Sequence, residues 1–195
     1  MAGRPRTLSG LLLAGGSARR MGVDKAALTF EGEPLAARVA RSLGLACDEV
    51  LVASGDGERL AWLGLPQVAD DPSGIGPLGG ILAGLARARH PLVAVVAADM
   101  PFASPAVLRL LAAAWTGEGA VVPLTEGGPE PLHAVYAADA LPALSRFVGS
   151  GGRSVRGAVA AIGARLLQPD EWSAADPSGR FAANLNAPGD LDRLG

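Results

Sequence analysis

The chain has 195 residues, of which 49% are hydrophobic and 18% charged, and its formal net charge is −2. Those values describe a globular chain with a sizeable core and exclude a disordered one; without a basic stripe they also argue against nucleic acid as a partner. The single cysteine, Cys47, excludes an internal disulfide and a cysteine-built zinc site.

Two arginines near the N-terminus, followed by the apolar residues 11–14, imitate a signal peptide. The apolar part is too short, however, and runs directly into glycines. No stretch approaches the roughly 20 apolar residues of a membrane helix, so no membrane association is expected and the expected location is the cytoplasm.

In chain order, residues 8–13 form a short apolar run of strand length, ended by Gly15 and Gly16. Residues 34–46 carry apolar side chains at helical spacing (Leu35, Val39, Leu43), with Pro34 suited to a first turn. Strands are predicted at 49–53 and 66–69, and a helix at 78–89. Residues 92–98 (LVAVVAA) are apolar on both faces, as in a central strand of a parallel sheet. A helix follows at 104–115, with Ser104 as N-cap and Pro105 at the first helical position. Strands at 120–124 and 132–136, helices at 138–147 and 155–162, a strand at 164–167 and a short terminal helix at 188–194 complete the pattern.

Strands alternating with helices predict an α/β fold, a single doubly wound, mostly parallel sheet with helices on both faces. One domain is expected, with a nucleotide-binding half over about 7–115 and an acceptor-binding half over about 116–195. Ligands in such sheets bind beyond the carboxyl ends of the strands, so the residues just after each strand carry the functional information.

Three such segments stand out. In LLLAGGSARRMGVDKAAL, glycines that let backbone N–H groups approach an anion are followed by Arg19, Arg20 and Lys25, enough positive charge to neutralise a polyphosphate. The spacing does not fit a P-loop. In ADDPSGIGPLGGILAGL, Gly74, Gly76 and Gly79 spell GxGxxG, and Asp99 lies about twenty residues further on, imitating a dinucleotide fingerprint. These glycines follow a turn and not a buried strand, which fits better a glycine-rich loop at a helix N-terminus meeting a base, ribose or phosphate, with Gly76, Pro77 and Leu78 as contacts. Asp70 and Asp71 precede it, either as turn caps or as ligands.

In LVAVVAADMPF, Asp99 is held rigidly at the ligand edge. Hard cations such as Mg²⁺ take oxygen ligands of this kind, usually one or two carboxylates plus substrate phosphates. His133, inside a predicted strand, suits a packing or substrate contact better than a catalyst. Asn184 and Asn186 are turn residues or polar contacts. Arg153 and Arg156 suit either an exposed helix face or an acceptor phosphate.

Together these motifs resemble the nucleotidyltransferases that attach GMP to the molybdenum cofactor, the MobA-like NTP transferases, whose fold is that of the nucleotide-diphospho-sugar transferases. The first motif matches LAGGxSxRMGxDK, and GPLGGILAGL, ADMPF, PLHAVY and NLNAPGDL follow in the family's order. The Gly-Gly form ending in MGxDK is similar to the guanylyl branch more than to the cytidylyl branch.

The resemblance implies GTP and the molybdopterin-type molybdenum cofactor as substrates, Mg²⁺ on Asp99, and phosphate binding by Lys25 with Arg19 or Arg20. It also implies backbone contacts to guanine from Leu13, Ala14 and Gly15, a base contact from Asp70 or its rival Asp71, and a molybdoenzyme or its chaperone as protein partner. Acceptor contacts are expected from His133, Arg153, Arg156, Asn184 and Asn186. Some members carry an asparagine just after the second strand, where this chain has Ala53 and Ser54. The residues themselves leave open transfer from CTP or to a sugar phosphate or phospholactate, an NAD- or FAD-dependent oxidoreductase, and a non-catalytic nucleotide-binding chaperone.

Overall fold

The computed structural model describes residues 7–15 and 28–185. The elements are β1 (Leu8–Leu13), β2 (Thr29–Phe30), β3 (Glu33–Pro34), α1 (Leu35–Ala46), β4 (Glu49–Gly55), β5 (Gln67–Ala69), α2 (Pro77–Arg87), β6 (Leu92–Ala97), α3 (Pro105–Ala114) and β7 (Ala120–Thr125). They continue as β8 (Gly128–Pro129), β9 (His133–Ala137), α4 (Leu141–Gly149), α5 (Val155–Ala161), β10 (Arg165–Leu167) and α6 (Pro169–Trp172). The expected helix at 188–194 lies outside the described residues.

One sheet runs in the order β10-β7-β9-β6-β1-β4-β5, with β8 paired beside β7. β1 pairs in parallel with both β4 and β6, and β4 with β5. β9 runs antiparallel between β6 and β7. This is the expected mostly parallel α/β sheet.

Alternation along each strand sorts its side chains to two faces. Leu8, Leu12, Val52, Val96 and Val121 pack with Val39 and Leu43 of α1 and Leu108 and Leu111 of α3. Leu11, Leu13, Leu51, Val95 and Val122 pack with Ile81 and Leu85 of α2, Leu144 of α4 and Val159 of α5. A core therefore lies on each side of the sheet, and β1 and β6 are buried along their whole length.

Local chemistry sets the boundaries. The Ser104 hydroxyl caps α3 by accepting from the Val107 N–H, with Pro105 in the first turn. Pro34 ends a β2–β3 hairpin, turned at Glu31 and Gly32 with φ of 51° and 80°, and α1 begins after it. The helix expected from residue 138 opens as a 3₁₀ turn, Ala138–Ala140, and α4 starts at Leu141. Pro142 lacks the N–H that a continuous helix would use there.

Candidate nucleotide-transfer site

The chain leaves β1 for β4 on one side and returns to β6 on the other, so the strand order reverses at β1. In an open α/β sheet the crevice at this reversal is where ligands bind. Leu13 lies opposite Ala97, and one residue later the Ala98 N–H donates to the Leu13 carbonyl at 2.9 Å. Ala14 and Gly15 therefore emerge beside Ala98 and Asp99, one strand spacing apart. On the other flank, the N–H groups of Ala14 and Gly15 both donate to the Ala53 carbonyl at 2.8 Å.

That bonding refines the expected backbone contacts to the base. The N–H groups of Ala14 and Gly15 and the carbonyl of Leu13 are already engaged within the sheet edge. What Gly15 contributes is clearance, since a Cβ there would stand 2.9 Å from Asp70 Oδ2.

Asp70 is half-buried at the end of β5, whereas Asp71 is exposed. Asp70 Oδ1 is enclosed with no hydrogen-bond partner. It faces Gly15 and Gly80, where an added Cβ would lie 3.0 and 3.2 Å from it. Burial pushes the Asp70 carboxyl above its usual range, and the Arg59 guanidinium opposes that shift. Of the two adjacent acids, Asp70 is thus the one brought to the glycine turn.

α2 starts beside it, with Gly76 as N-cap and Pro77 in the first turn. Leu78, expected at the nucleotide, has its side chain in the core at 1% exposure, because a residue at the second position of this helix faces the sheet. The glycines of this segment seat α2: a Cβ at Gly80 would be 2.9 Å from Ala53 Cβ. Within GIGPLG, Gly74 and Gly76 take positive φ of 79° and 67° with nothing within 4 Å and so serve the turn into α2, while Gly79 packs against Pro72.

Two charged residues that sequence reasoning missed stand at this edge. Arg59 follows β4, and its Nη2 donates to the Ala14 carbonyl. Glu130 lies between β8 and β9, where its Oε1 accepts from the Leu132 N–H at 3.0 Å. Burial raises the Glu130 carboxyl above its usual range, against the Leu132 amide and Arg156, and the charge of Asp99 adds to the rise. The acid of EPLH was its only signal in the sequence.

On the acceptor side the expected residues separate. Asn184 stands next to Leu185, whose N–H donates to the Asp99 carbonyl at 2.8 Å, so it lies beside the Asp99 turn. Arg156 reaches the β7–β8 turn, with Nη2 2.9 Å from the Gly127 carbonyl, near Glu130.

Arg153 instead caps the end of α4, its Nη1 donating to the carbonyls of Val148 and Gly152 at 3.0 and 2.7 Å. His133 is fully buried, accepts at Nε2 from the Ser104 N–H at 3.1 Å and packs on Phe181. Arg153 is exposed and makes these bonds through Nη1, while His133 Nδ1 is buried without a hydrogen-bond partner. Gly16, Arg19, Arg20, Lys25 and Asn186 lie outside the described residues.

A family profile described as "MobA-like NTP transferase domain" matches residues 10–166. The chain belongs to the MobA-like NTP transferases. It is 40% identical over 193 residues to a probable molybdenum cofactor guanylyltransferase of Chloroflexus aggregans, covering 94% of this chain and 91% of that one. It is 39% identical over 195 residues to a molybdenum cofactor guanylyltransferase of Cereibacter sphaeroides, covering 95% and 94%.

Among solved structures, it is similar to the molybdopterin-guanine dinucleotide biosynthesis protein A of Archaeoglobus fulgidus. There the TM-score is 0.82 at 27% identity, over 95% of each chain. The 2-C-methyl-D-erythritol 4-phosphate cytidylyltransferase of Thermus thermophilus shares the fold, with a TM-score of 0.65 at 19% identity over 94% and 95%. This protein is accordingly a nucleotidyltransferase, and the oxidoreductase alternative falls. No helix among the described residues is long and apolar enough to cross a membrane.

Proposed function

We propose that this MobA-like transferase moves GMP from GTP to the molybdopterin-bound molybdenum cofactor, releasing pyrophosphate. The observation that carries the reading is the convergence of Gly15, Asp70 and Asp99 on the strand-order reversal. It is supported by relatives named for this activity across nearly their whole length. In this reading Asp70 accepts from the guanine N1–H and 2-amino groups. Lys25 holds the β- and γ-phosphates together with Arg19 or Arg20.

The donor set at the other end of the crevice suits a hard divalent cation such as Mg²⁺. Asp99 and the nearby Glu130 offer oxygen only, and no cluster of three or more His, Cys, Asp or Glu converges among the described residues. Mg²⁺ is normally held by one or two carboxylates with phosphates and water completing its shell. Asp99 would hold it, and the ion would supply charge neutralisation across the phosphates.

The chain's own groups do the rest by positioning. An ionised acceptor phosphate needs no general base, so placement in line with the α-phosphorus and stabilisation of charge carry the reaction. Lys25 eases departure of pyrophosphate by meeting its growing charge. Asn184, Asn186 and Arg156 orient the acceptor beside Asp99.

Mass spectrometry of the product formed from GTP, Mg²⁺ and molybdenum cofactor tests the reading, with CTP in a parallel reaction. A guanine dinucleotide product is expected; a cytosine product or none overturns it. Lys25→Ala and Asp99→Asn should each slow turnover by roughly 10²- to 10³-fold, the usual cost of one electrostatic group. Near-normal rates for Asp99→Asn at saturating Mg²⁺ would remove the metal assignment.

A further inference from the structure

Arg59 has no role in the transfer chemistry, yet the fold takes trouble to place it. The loop after β4 is built around Asp56, whose Oδ1 accepts from the backbone N–H groups of Glu58 and Arg59, each at 2.9 Å. Ser54, buried beneath the loop, accepts from the Gly57 N–H at 3.1 Å. Leu60, 1% exposed, anchors the next residue in the core, and its N–H is held by Gln67 Oε1 at 3.1 Å. With its backbone pinned on both sides, Arg59 sends its guanidinium back across the crevice to the Ala14 carbonyl. Asp70 reaches the same Ala14–Gly15 turn, where a Cβ at Gly15 would stand 2.9 Å from its Oδ2, and its Oδ1 is enclosed without a partner.

A guanidinium and a carboxylate at one turn present donors next to acceptors. The Watson–Crick edge of guanine presents the complement in the same order: the O6 acceptor, then the N1–H and 2-amino donors. Cytosine and adenine present their amino donor where guanine has O6, and a bare acceptor nitrogen where guanine has N1–H. They would set donor against donor and acceptor against acceptor, and mismatched buried polar groups are costly.

We infer that Arg59 is a specificity-determining residue of the nucleotide site, donating to guanine O6 while the neighbouring Asp70 accepts from N1–H and the 2-amino group. The Ser54 hydroxyl at the end of β4 is committed to the loop, accepting from the Gly57 N–H, so the polar group that this loop sends to the crevice is Arg59. The inference rests on the guanylyl reading above and adds the residue that enforces it.

Calorimetric titration of the full chain with Mg²⁺ and four nucleotides tests it. GTP, ITP (no 2-amino group), 6-thio-GTP (a poor acceptor in place of O6) and CTP are compared for the native protein, Arg59→Met and Arg59→Lys. The native protein should bind GTP about 10- to 100-fold more tightly than 6-thio-GTP, the span of one charge-assisted hydrogen bond. Arg59→Met should bind the two alike while still preferring GTP to ITP, because Asp70 is intact. Arg59→Lys, which keeps the charge if Met disturbs folding, should retain part of the 6-thio discrimination.

Unchanged discrimination against 6-thio-GTP in Arg59→Met overturns the assignment, as does an equal loss of affinity for GTP and CTP in that variant. A native protein that prefers CTP defeats the guanylyl reading itself, before any variant is made, and the Arg59 assignment with it.

Discussion

His133 shows how one buried side chain ties separate motifs together. It opens β9 opposite Val96, packs on Phe181 and receives the Ser104 N–H, which starts the helix after the Asp99 turn. With Nε2 accepting, the neutral ring carries its proton on Nδ1. Burial lowers its pKa to about 4, against smaller effects of its own backbone and of Asp176. The unfolded chain, titrating near 6.5, binds the extra proton between those values. The stabilisation from a neutral His133 is therefore complete above about pH 6.5 and is lost as pH falls towards 4, an effect on the order of 3 kcal/mol. His133→Leu should lower stability at pH 7.5 by about 1–3 kcal/mol through the orphaned Ser104 N–H. It should also flatten the fall in melting temperature between pH 6.5 and 4. An unchanged acid slope in the variant would show that His133 is not the group responsible.

At the scale of elements, α2 and α1 answer the same substitution with opposite signs. Gly80 sits where α2 touches the sheet, and a Cβ there would meet Ala53 Cβ at 2.9 Å, Leu13 Cδ2 at 3.0 Å and Asp70 Oδ1 at 3.2 Å. Gly80→Ala gains about 1 kcal/mol of helix propensity but loses about 1–3 to overpacking, so net destabilisation is expected. A weaker grip on GTP should accompany it, because Asp70 must move. Gly44, on the exposed side of α1, has nothing within 4 Å, and Gly44→Ala should stabilise the protein by about 0.5–1 kcal/mol. Thermal melts of the two variants decide this; a stabilising Gly80→Ala would mean that α2 can lift off the sheet at little cost.

The long apolar strands β1 and β6 and the proline-started α3 were legible from the sequence because periodicity and capping are local. The β2–β3 hairpin, β8 and α6 were not, since two to four residues carry no period. Likewise Gly15, Asp70 and Asp99 stood out as residues following strands. Arg59 did not, because its contact with Ala14 spans 45 positions of chain and only the folded sheet creates it.

For the whole molecule, the layout of the sheet decides how the two expected halves relate. Strands from the first half occupy β6-β1-β4-β5 and those from the second occupy β10-β7-β9, so the halves meet at one antiparallel pairing of β6 with β9. The same boundary crosses the site, with Asp70 and Asp99 on one side and Glu130, Arg156 and Asn184 on the other. Neither core layer stops there: Val96 and Leu111 pack in one layer with Val135, Leu167 and Phe181, and Leu11 and Val95 in the other with Tyr136, Leu144 and Val159. Separating the halves would leave β6, buried on both faces, with a bare edge. A row of unpaired backbone groups on such an apolar strand invites aggregation. The halves should therefore unfold together. Guanidinium titrations followed by far-UV circular dichroism and by the fluorescence of Trp172, packed against Phe181 in the second half, should give coincident midpoints. The same titration with only Trp62 retained reports the first half, and a Trp62 transition displaced from that of Trp172 would show two independently stable units. A single transition would mean that nucleotide binding to one half stabilises the acceptor side as well. Saturating GTP should then raise both midpoints by the same amount.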